Sequence, residues 1–487
     1  MMTDYDLIIV GGGAAAFAAA NKANQLEKQT LMINDPHDLP LGGTCVNVGC
    51  VPSKTLLHQG EENYYPKNSD FRAINLEGNA DLVEAIEETN EMVDGFREGN
   101  YEKVIDKQDY VDLVDGRAKF KDENTVEVNG EKYSADRFLI ATGASTFEPP
   151  IDGIEEVDYL TNESVLELDY QPERVVVIGG GPLGLEWSQI FHHFDIEVVV
   201  LERNDRFLQR EDPLISEEIE KHLSNEGIEM HSSAETQKVQ EENGQKIIEA
   251  EIDGEKQVFK ADEIFLATGI DPNTDDLNTE EAGIETDDRG FVEINNRMET
   301  SQNHIYAAGD VTGELPLETV AAKQGSFAAQ NMFEDSTESE DSARSSEHES
   351  SPSAVKEINY DEIPHAVFTS PQVASVGMTE QEYMEEYDTC LCSAVRMDQV
   401  EKAEAIKDTR GIARMVIDHE TEEVLGFHIV GPMAADIITT ATYAVKNQMT
   451  IDEIRDTTHI FPTLSEVVKK AAQSFDADLD EMACCVE

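Results

Sequence analysis

Basic residues are scarce in this 487-residue chain: 36 Lys and Arg stand against 102 Asp and Glu, a formal net charge of -66. That balance excludes nucleic acid as a default partner, because phosphate repels such a surface. Long apolar runs are also missing. No segment reaches membrane-spanning length, and the N-terminus lacks the basic, apolar and small-residue succession of a secretion signal. The chain opens almost at once into an apolar strand, Tyr5–Val10, so a cytoplasmic protein is expected. Aromatics are few, at 7%, and acidic chains poor in aromatics are often unfolded. Segments such as Phe138–Thr142 and Val175–Ile178 are too apolar for that reading. What remains is a folded protein with an acid-coated surface, the composition expected of a high-salt cytoplasm, where screening falls to a few ångströms.

Cysteine is sparse, but the six fall in pairs: Cys45 with Cys50, Cys390 with Cys392, and Cys484 with Cys485. In a reducing compartment such pairs point to catalysis or metal binding more than to structural disulfides. The length is too great for one ordinary core, and about three packed domains are expected.

Glycine is concentrated where chemistry needs it. Two segments run from an apolar strand through a glycine turn into a helix: Leu7-Ile8-Ile9-Val10-Gly11-Gly12-Gly13-Ala14-Ala15-Ala16 and Val175-Val176-Val177-Ile178-Gly179-Gly180-Gly181-Pro182-Leu183-Gly184. Glycines let the backbone turn tightly and approach a pyrophosphate, whose charge then rests on the helix N-terminus. Either alone is a weak signal; two together predict two dinucleotide sites. A third apolar strand, Ile305-Tyr306-Ala307-Ala308-Gly309-Asp310, ends in a carboxylate and is expected to return to the first domain. Residues 334–357 are mostly Ser, Glu and Asp, and read as a disordered acidic insertion at a domain boundary. Beyond it, strands at Ala366–Phe368, Ala413–Ile417 and Val424–Val430 alternate with helical stretches, an α+β pattern.

The chemistry centres on Gly42-Gly43-Thr44-Cys45-Val46-Asn47-Val48-Gly49-Cys50-Val51-Pro52-Ser53-Lys54. Two cysteines five positions apart can close a small redox-active disulfide. The competing reading is half a zinc site helped by His37 and His58; zinc needs four placed ligands, and no second pair of suitable spacing is near. The segment resembles the redox motif of the pyridine nucleotide-disulfide oxidoreductases, the family of glutathione reductase, lipoamide dehydrogenase and mercuric reductase. Further landmarks are Ala141-Thr142-Gly143, Ala267-Thr268-Gly269 and Ala308-Gly309-Asp310, so the resemblance covers essentially the whole chain.

The resemblance implies an α/β fold with two Rossmann-like dinucleotide-binding domains, for FAD and NAD(P), plus a C-terminal α+β dimerisation domain. The expected spans are 1–148 and 273–333 for FAD, 149–272 for NAD(P), 334–357 for the insertion and 358–487 for dimerisation. FAD is expected at Gly11, Gly13, Ala16, Gly43, Thr44, Lys54, Ala118, Thr142, Gly143 and Ala321, with Asp310 on its ribityl chain. Asn34 or Asp35 stands where the family has a ribose-binding glutamate. The nicotinamide cofactor, NADPH or NADH, is expected at Gly179, Gly181, Gly184, Glu202, Arg203 and Gly269. A carboxylate at Glu202 suits a ribose 2′-hydroxyl, although Arg203 or Arg206 could reach a 2′-phosphate. Lys54 would lie near the flavin N5 and pair with Glu186, its charge favouring an anionic reduced flavin and a nearby thiolate.

Thiol-disulfide reductases of the family carry a His-Pro near the C-terminus, followed by a glutamate four residues after that histidine. Here Phe461, Pro462 and Glu466 occupy those places, and His459 comes two residues early. Phenylalanine transfers no proton, so ordinary disulfide reduction is not expected. Vicinal Cys484 and Cys485 near the end suit capture and delivery of a soft metal ion; the competing reading is a chance pair on a frayed tail. Together these features resemble the mercuric reductase branch, with Hg(II) as substrate, Cys45, Cys50, Cys484 and Cys485 as metal ligands, and a homodimer that shares active sites. Tyr101 resembles that branch's metal-path tyrosine, or is an ordinary helix-surface residue. An N-terminal metal-binding domain, common in that branch, is not seen, so Cys484 and Cys485 are expected to collect the metal themselves. Cys390 and Cys392 read as packing residues on one face of a strand.

Overall fold

The computed structural model describes residues 3–74, 76–333, 355–387, 389 and 391–479. These form two compact units. One comprises Met1–Pro52, Glu88–Phe147 and Ile270–Asn359; the other comprises Ser53–Glu87, Glu148–Gly269 and Tyr360–Glu487. The acidic insertion falls almost wholly outside the described residues, as do Cys390, Cys484 and Cys485. No helix among the described residues is long and apolar enough to cross a membrane.

The first unit is built on a parallel sheet in the order Val111–Asp115, Thr30–Asn34, Thr3–Val10, Glu131–Ile140. Leu7, Ile8, Ile9 and Val10 are all buried, as a parallel strand covered on both faces requires. Ile305–Ala307 joins the last half of Glu131–Ile140 in parallel, with Ile305 opposite Phe138, and Thr125–Val128 pairs antiparallel with the first half. Long-range pairing thus brings the Ile305 segment into this sheet. Alanines 15, 16, 19, 20 and 23 are buried on the helix Ala14–Gln25. Small side chains there let the helix Glu318–Phe333 approach so closely that a Cβ on Gly325 would collide with the Ala15 carbonyl.

The second unit holds two separate cores. A parallel sheet runs Glu229–His231, Glu197–Leu201, Arg174–Ile178, Glu263–Leu266, and beside it lies an antiparallel sheet of Ala234–Glu242, Gln245–Ile252 and Glu255–Ala261. Val176, Ile178, Val199, Leu201 and Ile264 centre that core. The other core lies on a five-stranded antiparallel sheet in the order His365–Val367, Gln372–Gly377, Val424–Gly431, Ile412–Ile417, Cys392–Arg396. The helix Ala434–Lys446 buries Ala434, Ile437, Ile438, Ala441 and Ala444, the apolar stripe of a 3.6-residue period. Cys392 opens its strand, and its Sγ donates to Glu380 Oε1 at 2.8 Å, so this thiol has a polar partner besides any packing role.

Candidate active site at the cysteine turn

The segment after the strand Thr30–Asn34 returns across the first glycine motif. Gly42 and Gly43 both have positive φ, +99° and +63°, and a Cβ on Gly43 would lie 2.7 Å from the Gly13 Cα. Only glycine allows both the left-handed turn and that approach. Cys45 then sits in the short helix Gly43–Asn47, and Cys50 begins the helix Cys50–Lys67. Between them, buried Asn47 staples the turn: its Nδ2 donates to the carbonyls of Pro40, Leu41 and Gly43 at 3.1, 3.2 and 2.9 Å, and its Oδ1 accepts from Arg97 at 3.0 Å. Sequence reasoning passed over Asn47 and Arg97. The visible signal was a polar residue in an otherwise apolar spacer between the cysteines.

A hydrogen bond with Cys50, burial, and the charges of Cys50 and Glu318 hold the Cys45 thiol well above the ordinary thiol range. Tyr101 reaches the same place. It lies in a π-helical turn, Glu98–Glu102, of the kind that recurs at functional sites. Its ring abuts Gly42, at 3.4 Å from that residue's Cβ position, and meets Phe17 edge-on at 4.9 Å. Burial, then repulsion from Cys45, Glu318 and Cys50, pushes its phenol to about 12, so it stays a hydrogen-bond donor at neutral pH. Glu318, whose charge acts on both Cys45 and Tyr101, is a neighbour that no local motif marks.

Lys54 lies one turn along the helix from Cys50. Its ammonium is 2.6 Å from Glu186 Oε2 and 4.8 Å from the centre of the Phe368 ring. Glu186 is buried on the helix Pro182–His193, and its other oxygen accepts the Phe368 N–H at 2.9 Å. Both carboxylate oxygens therefore have donors, one of them charged.

Two cradles surround the glycine motifs. In each, the first glycine, Gly11 or Gly179, has positive φ, and a Cβ there would strike the carbonyl of Ala141 or Ala267. The third, Gly13 or Gly181, caps a helix with no side-chain partner and leaves main-chain N–H groups for an anion. Gly181 has open space where a Cβ would be, whereas a Cβ on Gly184 would hit the Gly179 carbonyl. Buried Ala16 takes the place equivalent to Gly184 in the first motif. At the C-terminal ends of that sheet, Thr142 Oγ1 is buried without a hydrogen-bond partner among the described residues. Burial alone raises the Asp310 carboxyl above its usual range. Both groups fit the hydroxyl-rich part of a dinucleotide, which binds at strand C-terminal ends. Ala118 and Ala321 are buried nearby in sequence to these elements, while Gly143 and Gly269 have positive φ and open space at the Cβ position.

The two candidates for the ribose are both engaged. Buried Asn34 donates to the Leu39 carbonyl at 3.1 Å and lies where a Cβ on Gly12 would fall, and Asp35 is 3.4 Å from Arg117. In the second cradle, Glu202 Oε2 accepts the Gly180 N–H at 2.6 Å, and Oε1 accepts the Asn204 N–H at 2.7 Å and Nδ2 at 2.6 Å. Glu202 thus fixes its own glycine turn, a role the sequence reading lacked. Arg203 is exposed. Far along the chain, Phe461 is exposed, and Glu466 opens the helix Glu466–Gln473 by accepting the Thr463 N–H at 3.1 Å.

Comparison with known proteins agrees with this geometry. The family model described as "Pyridine nucleotide-disulphide oxidoreductase" matches residues 5–325, and that family's dimerisation domain matches residues 363–472. A mercuric reductase from Bacillus cereus is 39% identical over 99% of this chain and 73% of its own length. One from Staphylococcus aureus is 38% identical over 99% of this chain and 84% of its own. Among solved structures, the Cu(II) complex of the HOCl-induced flavoprotein disulfide reductase RclA from Escherichia coli superposes with a TM-score of 0.84 at 25% identity, covering 97% of this chain and 99% of that one. With two glycine cradles, a stapled cysteine turn and a matching dimerisation region, the chain belongs to the pyridine nucleotide-disulphide oxidoreductase family.

Proposed function

We propose that this protein reduces Hg(II) to elemental mercury with electrons from NADPH or NADH, as a homodimer with FAD bound in the first cradle. The observation that carries the reading is Phe461 in place of the family's acid-base histidine, in a chain that also carries the vicinal pair Cys484 and Cys485. A thiol-disulfide reductase needs an acid to protonate a leaving thiolate; in transfer of a metal between thiols the incoming thiol itself supplies that proton. The relatives named mercuric reductase support the same choice.

FAD is assigned to Gly11, Gly13, Thr142 and Asp310, and when bound it relays two electrons from the nicotinamide to the sulfur side. Cys484 and Cys485 of the partner subunit deliver Hg(II). As each bond to a tail sulfur breaks, a bond to Cys45 or Cys50 forms, and the displaced thiol proton passes to the departing tail thiolate. In the reduced pair, the hydrogen bond with Cys50, burial, and the Cys50 and Glu318 charges raise the Cys45 thiol, a cost that bound metal would offset. Two electrons added to the bound Hg(II) release Hg(0) and leave both sulfurs reduced. Tyr101, protonated throughout, offers a hydrogen bond beside the pair, and Glu186 keeps the Lys54 charge in one place.

An anaerobic assay decides among readings. Oxidation of reduced nicotinamide that depends on HgCl2 is expected. Turnover with lipoamide but not HgCl2 would make the protein a dihydrolipoamide dehydrogenase that uses another proton donor. Mercury binding without turnover would make it a sequestering flavoprotein.

A further inference from the structure

One loop is fixed to one helix at two alternate residues. The Phe368 N–H donates to Glu186 Oε1 at 2.9 Å, and the Ser370 N–H donates to Gln189 Oε1 at 2.6 Å. Gln189 Nε2 returns a bond to the Ser370 carbonyl at 2.8 Å and makes another to Glu226 at 2.7 Å. Glu186 and Gln189 are buried and lie one turn apart on the helix Pro182–His193, so they share a face. The main chain at residue 368 is therefore held without help from its side chain.

The ring, for its part, is not placed as core filler. Val367 and Thr369 on either side are completely buried, whereas Phe368 is only partly so. Its face instead meets the Lys54 ammonium, 4.8 Å from the ring centre. The same ammonium bonds Glu186 at 2.6 Å, with a second, longer contact to Ser53 Oγ at 3.3 Å. Residue 368 thus addresses both members of the ion pair, the carboxylate through its N–H and the ammonium through its ring. Lys54 has a flexible four-carbon stem and a side chain 32% exposed. Glu186 alone leaves it free to pivot toward water, and attraction to the ring face favours the rotamers that keep the ammonium over the ring.

We propose that Phe368 is a positioning residue, whose ring holds the Lys54 charge at the place where it acts on the reaction. The inference rests on the flavoenzyme reading above, in which that charge favours the reduced flavin. Replacement of the ring by an aliphatic side chain lets the charge recede, and the bound flavin becomes harder to reduce.

The test is the midpoint potential of FAD in the purified holoenzyme. Phe368→Leu is expected to lower it by a three- to tenfold change in the ratio of oxidised to reduced flavin, about 15 to 30 mV for a two-electron couple. Phe368→Tyr keeps the ring face and is expected to keep the potential. Pentafluorophenylalanine at position 368 keeps the shape but reverses the ring's electrostatics, so it should behave as Leu does even where Leu impairs folding. In a Lys54→Met background none of these replacements should move the potential. A wild-type potential for the fluorinated protein overturns the proposal, as do equal shifts with and without Lys54. HgCl2-dependent turnover of the unaltered protein is measured alongside. Its absence with the expected potential shifts removes the mercury reading and leaves the role of Phe368 standing.

Discussion

Glu186→Gln isolates what the buried carboxylate does, because glutamine matches glutamate in shape and differs only in charge and hydrogen-bonding sense. The carboxylate accepts from two donors, Lys54 at 2.6 Å and the Phe368 N–H at 2.9 Å. Glutamine has one acceptor oxygen, and its NH2 must face the other donor. If its oxygen keeps the fixed Phe368 N–H, the ammonium confronts an NH2 and turns away. Loss of a charge-assisted bond costs about 1.5–3 kcal/mol. Lys54 is about one-third exposed and can recover hydration, which brings the expected loss to about 1–2 kcal/mol. In a protein of this size that is a melting-point drop of a few degrees. The larger effect is expected in chemistry: reduction of bound flavin by reduced nicotinamide, followed by stopped-flow absorbance, should slow about tenfold, since each 1.4 kcal/mol of lost positioning is a factor of ten. Wild-type flavin reduction together with a wild-type melting point would refute the reasoning, because it would mean that the Lys54–Glu186 pair neither stabilises the fold nor places the charge.

Changing both Cys484 and Cys485 to Ala should spare reduction of the flavin by nicotinamide but abolish mercury turnover under excess competing thiol; mixing with a Cys45→Ala, Cys50→Ala protein should restore part of it through heterodimers. Full turnover of the tail variant under thiol competition would remove the delivery role. Tyr101→Phe should lower mercury turnover several-fold without moving the alkaline limb of the pH–rate profile below pH 10, because the phenol is pushed to about 12 and stays protonated until then; a limb that disappears from the range below pH 10 in the variant would contradict that order. NADH should be accepted, since Glu202 places a carboxylate beside the second glycine turn. A large preference for NADPH in kcat/KM would count against it. With a net charge of -66, thermal melting should rise from sub-molar to multimolar KCl as carboxylate repulsion is screened, and equal midpoints would disprove the idea.

The strands and glycine turns were legible because their signals are local. Val175–Ile178 and Val424–Val430 are read from continuous apolar runs, and the observed strands Arg174–Ile178 and Val424–Gly431 differ by a residue at the ends, where fraying blurs any boundary. The cysteine turn was legible for the same reason, since close backbone approach leaves glycine as its mark on the sequence. Hydrogen-bond commitments were not legible. Glu202, expected at a ribose, also braces its own turn, and Asn34, expected in place of a glutamate, is also tied to Leu39; neither bond is marked in the sequence.

By itself the sequence determined the dinucleotide cradles, the redox pair and the absence of a histidine at residue 461, because each is a matter of which atoms the chain possesses and at what spacing. Only the tertiary structure decided which distant groups act on them. Asn47 with Arg97, Tyr101 with the cysteine turn, and Phe368 with Lys54 and Glu186 meet through packing of elements remote in the chain. A side chain's partner across such a distance is set by the geometry of the folded backbone, and no local pattern of residues records it.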